Sequence, residues 1–357
     1  MATRVKTIGS LSRDYATFTL WEQDLDDGTN AANDATAYAS GDDAEGHVYD
    51  DSPFDESFTI NGGGTVGLNS ITLTVPAGER HDGTGGTGAR ITNTAGSITL
   101  TIGGNIPVYI EWLELDGTDQ NTTGILNNQP SFSTEVHLRN LLIHDIQRTG
   151  GGEIWGVRAD TRALLACNLF IFGIKQNRNS GTPVNGIEVD QDRTFAGVIN
   201  CTVVGCEKVH ASAGGTVYGV TGTDLSTGRG FINNLSGGHS VASGTATIED
   251  YASYSTATFT TNMSEDSSGS TGLTGADPAN QFVSTTPGDE DLHLKSGADA
   301  IDAGTDQGTT PSGVEIDIDG TDRDATGATW DCGAHEFLAA GGRARRRRRM
   351  PRALLAA

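Results

Sequence analysis

The chain has 357 residues, of which 35% are hydrophobic, 49 are glycine and 46 are acidic against 23 basic, a formal charge of −23. Glycine at about twice its usual ~7% share, on an otherwise ordinary apolar content, argues against a disordered chain and for a thin-cored, turn-rich domain. Seven of the basic residues are arginines between Arg343 and Arg352; without them 16 basic face 46 acidic residues, a net charge of −30, and so acidic a body is repelled by nucleic-acid phosphate and anionic membrane.

The opening residues lack the apolar run of a signal peptide, and no stretch approaches the ~18 apolar residues of a membrane span. The expectation is a protein that is cytoplasmic at synthesis, has no membrane partner, and either acts where it is made or leaves the cell within a particle, to be found on a virion or outside the cell. Phe18, Trp21 and Leu25 fall on one helical face, and Thr19 with Glu22 three residues later fits a capping box. Residues 17–25 are therefore predicted to form a short amphipathic helix that caps the N-terminal end. An Asp/Ala/Gly-rich loop follows to about residue 51, and then short alternating strands at 58–60, 70–75, 89–94, 97–102 and 108–115, separated by Gly, Asn and Asp clusters.

From there the chain repeats itself. Aligned glycines at Gly124, Gly156, Gly186 and Gly219 recur every 30 to 33 residues, and a second motif keeps the same beat at Asn140, Asn168, Asn200 and Asn234. A unit of that size, with two or three short strands and no helix, buries little alone and closes its core by stacking. The predicted fold is all-β: a right-handed parallel β-helix, a single-stranded solenoid with a short N-terminal capping helix. A β-propeller needs blades of ~40 to 45 residues, and these coils are too short. One inward column is expected from Leu113, Leu141, Leu169, Cys201 and Leu235, another from Leu115, Ile143, Ile171 and Val203, with the asparagines stacked as a ladder at a turn. The four cysteines have no zinc-like spacing and read as small core residues.

Near the C-terminus, Gln281, Phe282 and Val283, then Asp291 to Gly297, Ala300 to Gly304, Asp317 to Gly320, Arg323 and Trp330 to Phe337 form a run that resembles the closing module of bacterial and phage parallel β-helix proteins. The opening, Ile8 to Ser10 followed by Asp14 to Phe18 and the helix, is similar to the N-terminal cap of pectate-lyase-like β-helices. Cys332 and His335 depart from the usual closing sequence, where an aliphatic and an aromatic residue are typical. The resemblance implies the fold and a closing role for the last module. It leaves function open among lyases, glycosidases, adhesins and virion spikes. The organisation expected is a cap over residues 1–50, coils over 51–280, a closing module over 281–340 and a basic tail over 341–357.

Neighbouring coils lie about 4.8 Å apart, so equivalent positions form rows. Arg158 falls over Glu188, Asp160 over Asp190 and Arg162 over Asp192, with Arg193 nearby. Carboxylates ~5 Å apart have the spacing of a retaining glycosidase pair, and Asp160, Glu188, Asp190 and Arg158 are the candidate catalytic set. Solvated cross-coil ion pairs are the competing reading. The position before each aligned glycine reads Thr123, Trp155, Asn185 and Tyr218; flat rings beside amides and charges suit a sugar groove, so Trp155, Asn185, Tyr218, Arg162, Asp192 and Arg193 are the candidate carbohydrate contacts. Asp317, Asp319 and Asp322 resemble a calcium loop without EF-hand spacing, and Ca²⁺ is the one cofactor expected. His144 with Asp145 reads as a surface pair, and residues 80–83 as a coil turn.

Leu142, Phe170, Phe172 and Val204 make one strand row apolar on both faces, to be covered by a loop, by the C-terminal segment or by another subunit; a homotrimer would be natural for a spike. The leading functional expectation is a virion- or surface-associated, tailspike- or fibre-like β-helix that recognises polysaccharide. The alternatives are a polysaccharide lyase or glycoside hydrolase acting on an acidic glycan, and a bacterial adhesin. Nucleic acid is expected as a partner only through the Arg343 to Arg352 tail.

Overall fold

The computed structural model describes residues 2–27, 37–94, 98–118, 123–130, 134–150, 152–160, 164–189, 196–211, 213–222, 230–242, 245–253, 258–268, 273–326 and 329–339. Within them the chain winds as a parallel β-solenoid. The first sheet has nine strands, from Thr3–Ile8 and Asp43–Val48 to Phe259–Thr260. The second has eight and includes Arg90–Thr92, Glu114–Asp116, Leu142–His144, Phe170–Phe172 and Thr202–Val204. The third has seven and includes Thr123–Asn127, Ile154–Ala159, Val184–Val189 and Thr216–Gly222. The strand at Asp43–Val48 lies inside the stretch expected to be loop; its Glu, Gly and His residues hide an alternation in which Ala44, Gly46 and Val48 point inward.

Coil alignment on the glycines is correct residue for residue. Ile125 pairs with Val157, Val157 with Ile187 and Ile187 with Val220, which stacks Gly124, Gly156, Gly186 and Gly219. The cause is steric: a Cβ on Gly186 would sit 2.2 Å from Val203 Cγ1, and one on Gly219 would sit 1.9 Å from Ser236 Oγ. The third sheet approaches the second so closely here that no side chain fits.

The corner between the first and second sheets is made by one left-handed residue per coil: Trp112, Asn140, Asn168, Asn200, Asn233 and Thr261, with φ between 51° and 64°. Asparagine is the non-glycine residue that tolerates this conformation best. The expected ladder is thus shifted by one at its end, with Asn233 in place of Asn234. Asn234 and Asn262 instead continue the inward column of Leu113, Leu141, Leu169 and Cys201, where Asn234 Nδ2 donates to Asn262 Oδ1 at 3.0 Å and to the Val198 carbonyl at 2.8 Å. Leu235, expected inside, pairs with Thr202 on the outer face, because a one-residue slip in a strand exchanges its faces. The column of Leu115, Ile143, Ile171 and Val203 is as expected.

The helix spans Phe18–Asp27 and buries Phe18, Trp21 and Leu25. Its N-terminus is not closed by the Thr19/Glu22 box. Thr17 Oγ1 accepts from Leu20 N (3.1 Å), while the Glu56 carboxylate accepts from the backbone N–H groups of Phe18 and Thr19. Glu22 instead accepts from the backbone of Asn61 and Gly62. Under the helix, the buried Lys6 ammonium meets Asp24 at 2.7 Å and Tyr15.

The C-terminal module runs along the solenoid flank. Phe282, Leu292, Leu294, Ala298, Ala300, Ile318, Cys332 and Ala334 pack on Leu142, Phe170, Phe172, Val204, Leu235 and Met263. Val314 and Trp330 cover Leu165, Cys167 and Ile199 on the first sheet. The apolar outer face on which the expectation of a trimer rested is therefore covered from within the chain. The resembling residues tie the module down: buried Arg323 donates to Glu336 (3.0 Å), the Gly333 carbonyl (2.9 Å) and Asn168 Oδ1 (3.3 Å). All four cysteines are buried, and among the described residues no helix is long and apolar enough to cross a membrane.

Candidate functional site

Strand alternation in the third sheet sends Val157, Ala159, Ile187, Val189, Val217 and Val220 into the core and their neighbours outward. Trp155 pairs with Asn185 and Asn185 with Tyr218, while Arg158 pairs with Glu188 and Glu188 with Thr221. The two expected rows therefore lie side by side on one outer face. Arg158 is their hub: its guanidinium contacts Glu153, lies 3.6 Å from Glu188 and 3.7 Å from Asp160, and sits 5.0 Å from the centre of the Trp155 ring. Asn185 Nδ2 donates to Glu188 Oε2 at 2.6 Å. Three polar atoms of this patch, Trp155 Nε1, Asn185 Oδ1 and Thr221 Oγ1, are buried without a hydrogen-bond partner among the described residues, although Trp155 is only 8% exposed. Asp190, Arg162, Asp192 and Arg193 lie outside the described residues, as does the arginine tail.

The expected calcium carboxylates are not gathered into one cluster among the described residues. Asp317 spends both oxygens on backbone N–H groups, those of Asp319 (3.0 Å), Thr321 (2.6 Å) and Glu336 (2.9 Å); burial raises its pKa to about 7, with Asp319 adding to the effect. Asp322 accepts from Asp324 N at 3.2 Å and caps the short helical turn Arg323–Ala325. Asp319 alone turns away, toward His293 (2.9 Å) and His335 (3.6 Å).

That contact belongs to a cluster whose His144, expected as half of a surface pair, is buried. The glycine-rich loop around residues 80–88 lies between the outer face of the second sheet and the C-terminal module, and brings His81, His144, His293 and His335, half of the chain's histidines, into one neighbourhood. His144 is stacked on Phe172 at 5.0 Å and has a carboxylate on each nitrogen: Asp145 on Nδ1 and Glu114 on Nε2, both at 2.9 Å. His293 is held likewise between Asp291 and Asp319. Burial opposes the charge in both rings, but the carboxylate hydrogen bonds and charges outweigh it and raise each pKa to about 9. His335 differs. Its Nδ1 accepts from Leu294 N (3.0 Å), which leaves the hydrogen on Nε2 facing Asp319, and burial drives its pKa down to about 4. His81 is similar: Gly83 N donates to its Nδ1 at 3.3 Å, and Nε2 faces the Asn140 carbonyl at 3.0 Å.

Only spatial signals could have revealed this group. Glu114 and Asp116 are two apart in one strand, and the register puts His144 over Asp116, whereas Asp291, His293, Asp319 and His335 arrive through the flanking module.

A Ser236–His239–Asp250 constellation inside the last coils is not a hydrolytic triad. Cys206 N donates to His239 Nδ1 (3.1 Å), so the hydrogen on Nε2 faces Ser236 Oγ (2.9 Å), the wrong tautomer to take the serine proton. Burial holds His239 down at about 4 and Asp250 up at about 7.

Neither a scan against protein-family models nor a search of the curated proteins finds a match for the chain.

Proposed function

We propose that the protein is a virion- or surface-associated β-solenoid that recognises polysaccharide through the outer face of its third sheet. The observation that carries this reading is the gathering of Trp155 with part-exposed Arg158, Glu188 and Tyr218 on one outer face. Aromatic rings beside a guanidinium and carboxylates suit a ligand that offers C–H faces together with groups that both donate and accept, and sugars offer both. Arg158 would add preference for an acidic glycan. The fold-level resemblance supports a tailspike- or fibre-like setting, with an adhesin as its surface-bound counterpart and a trimer as one possible assembly.

A second reading, cleavage of the bound glycan, is favoured by one observation: Glu188 and Asp160 flank Arg158 at 3.6 and 3.7 Å. Binding ranks first because that cation is already engaged by three carboxylates. The test is retention of the purified protein on a panel of acidic and neutral polysaccharides, with and without Ca²⁺. Retention lost in Trp155→Ala and Arg158→Ala, with unchanged melting, supports recognition. Release of reducing or unsaturated ends that Glu188→Gln abolishes would convert the protein to an enzyme. Retention indifferent to both substitutions would sink the assignment to this face.

A further inference from the structure

We propose that Glu114, Asp116 and His144 form a binding site for a first-row divalent cation of the zinc class, with Asp145 positioning the imidazole. This does not depend on glycan recognition and involves none of the residues expected to hold calcium.

The sheet builds the site. Glu114 and Asp116 share the outer face of one strand because side chains alternate with period 2, and His144 stands directly over Asp116 in the next coil. Their ligand atoms all lie within 4.8 Å of one another, with His144 Nε2 2.9 Å from Glu114 Oε1. Ligands at ~2.0–2.2 Å around a tetrahedral zinc are roughly 3.3 Å apart, so a few tenths of an ångström of widening admits the ion between that pair.

Two further features point to a cation. Glu114 is fully buried; its Oε1 accepts from Gly86 N (2.7 Å) and meets His144 Nε2 (2.9 Å), but its Oε2 has no hydrogen-bond partner among the described residues, and Arg90 ion-pairs with Asp116 (3.7 Å) rather than with Glu114. An anionic oxygen left so exposed electrostatically is costly to bury unless something positive joins it. The second feature is His144 Nδ1, which faces Asp145 at 2.9 Å. Metal binding displaces the Nε2 hydrogen of His144 that faces Glu114, and the Nδ1–H held by Asp145 then fixes the ring in the carboxylate–histidine–metal arrangement. In the neighbouring group of His293, Asp319 and His335, His293 is held in the same way by Asp291, but His335 offers no lone pair, since its Nδ1 accepts from Leu294 N and its Nε2 carries the hydrogen. One imidazole with two carboxylates matches zinc-class ions better than calcium, which takes six to eight oxygens. Gly85 allows the covering loop to lie against the ring: a Cβ there would be 3.3 Å from His144 Cε1.

The test uses the full-length protein stripped with chelator. Zn²⁺ is titrated in by calorimetry with Ca²⁺ in parallel, and Co²⁺ is added separately to read the visible ligand-field bands. One equivalent of Zn²⁺ should bind, more tightly than Ca²⁺, and Co²⁺ should give bands of a low-symmetry nitrogen and oxygen site. Glu114→Gln and His144→Gln should each weaken Zn²⁺ at least about tenfold, and Asp145→Asn by about 10–100-fold, while His335→Gln leaves affinity unchanged. A wild type with neither Zn²⁺ heat nor Co²⁺ bands overturns the site without recourse to any variant. So does zinc binding that survives Glu114→Gln and Asp145→Asn, or that disappears in His335→Gln.

Discussion

Gly186 shows how a single residue can be read with confidence from sequence. Its recurrence every coil has one steric cause, the 2.2 Å approach of Val203 to where a Cβ would stand. Gly186→Ala should cost about 2–3 kcal/mol by overpacking, seen as a lower urea midpoint, whereas Gly64→Ala, with open space at its Cβ, should stay within about 0.5 kcal/mol. An equal effect at both sites would contradict the steric account. The histidines are the opposite case: His144 and its neighbours gain their character from residues a coil away or on the flanking module, which local pattern cannot show. Their titration gives a signed prediction. A histidine whose folded pKa is raised to about 9, above its ordinary 6.5, contributes stability that is complete below about pH 6.5 and lost as pH rises through 9. Melting temperature should therefore fall between pH 7 and 10, and His293→Gln should flatten part of that fall. A profile in His293→Gln as steep as the wild type's would contradict the ion clamp.

Among the elements, the strands and the helix were visible because periodicity reports a buried face, and the Asn corners because left-handed backbone selects asparagine. The ladder slipped by one where two asparagines, Asn233 and Asn234, stand together and only the coil register separates the corner residue from the inward one. The C-terminal module was recognisable as a unit, but its place along the flank was not, since that depends on Leu142 and Phe170 being apolar on the outer face. Arg323 fastens the module through a fully buried pair with Glu336. Arg323→Ala should lower stability by about 3–5 kcal/mol, because it strands a buried carboxylate. Hydrogen exchange should then show the outer second sheet losing protection before the third. Uniform loss across all sheets would mean that the module is not a separable cover.

For the whole molecule, the solenoid accounts for the abundance of small residues and places acidic groups along outer rows. With the apolar flank covered from within, the outer face of the third sheet is where Trp155, Tyr218 and the Arg158–Glu188 row stand together. Its candidate contacts were legible in pairs, Trp155 with Asn185 and Arg158 with Glu188, because alignment on the glycines gave the correct register. The unpartnered state of their polar atoms was not, since that is a property of packing. The most direct test is a titration of the polysaccharide best retained by the protein, followed by tryptophan fluorescence. Of the four tryptophans, Trp21 and Trp330 are fully buried and Trp112 lies at the first corner under Arg80, so Trp155 is the one on the candidate face and Trp155→Phe assigns the signal. The expected result is saturable quenching that vanishes in Trp155→Phe, together with affinity at least about tenfold weaker, about 1.4 kcal/mol, in Arg158→Ala. Saturable binding of unchanged affinity in both variants would contradict recognition at this face.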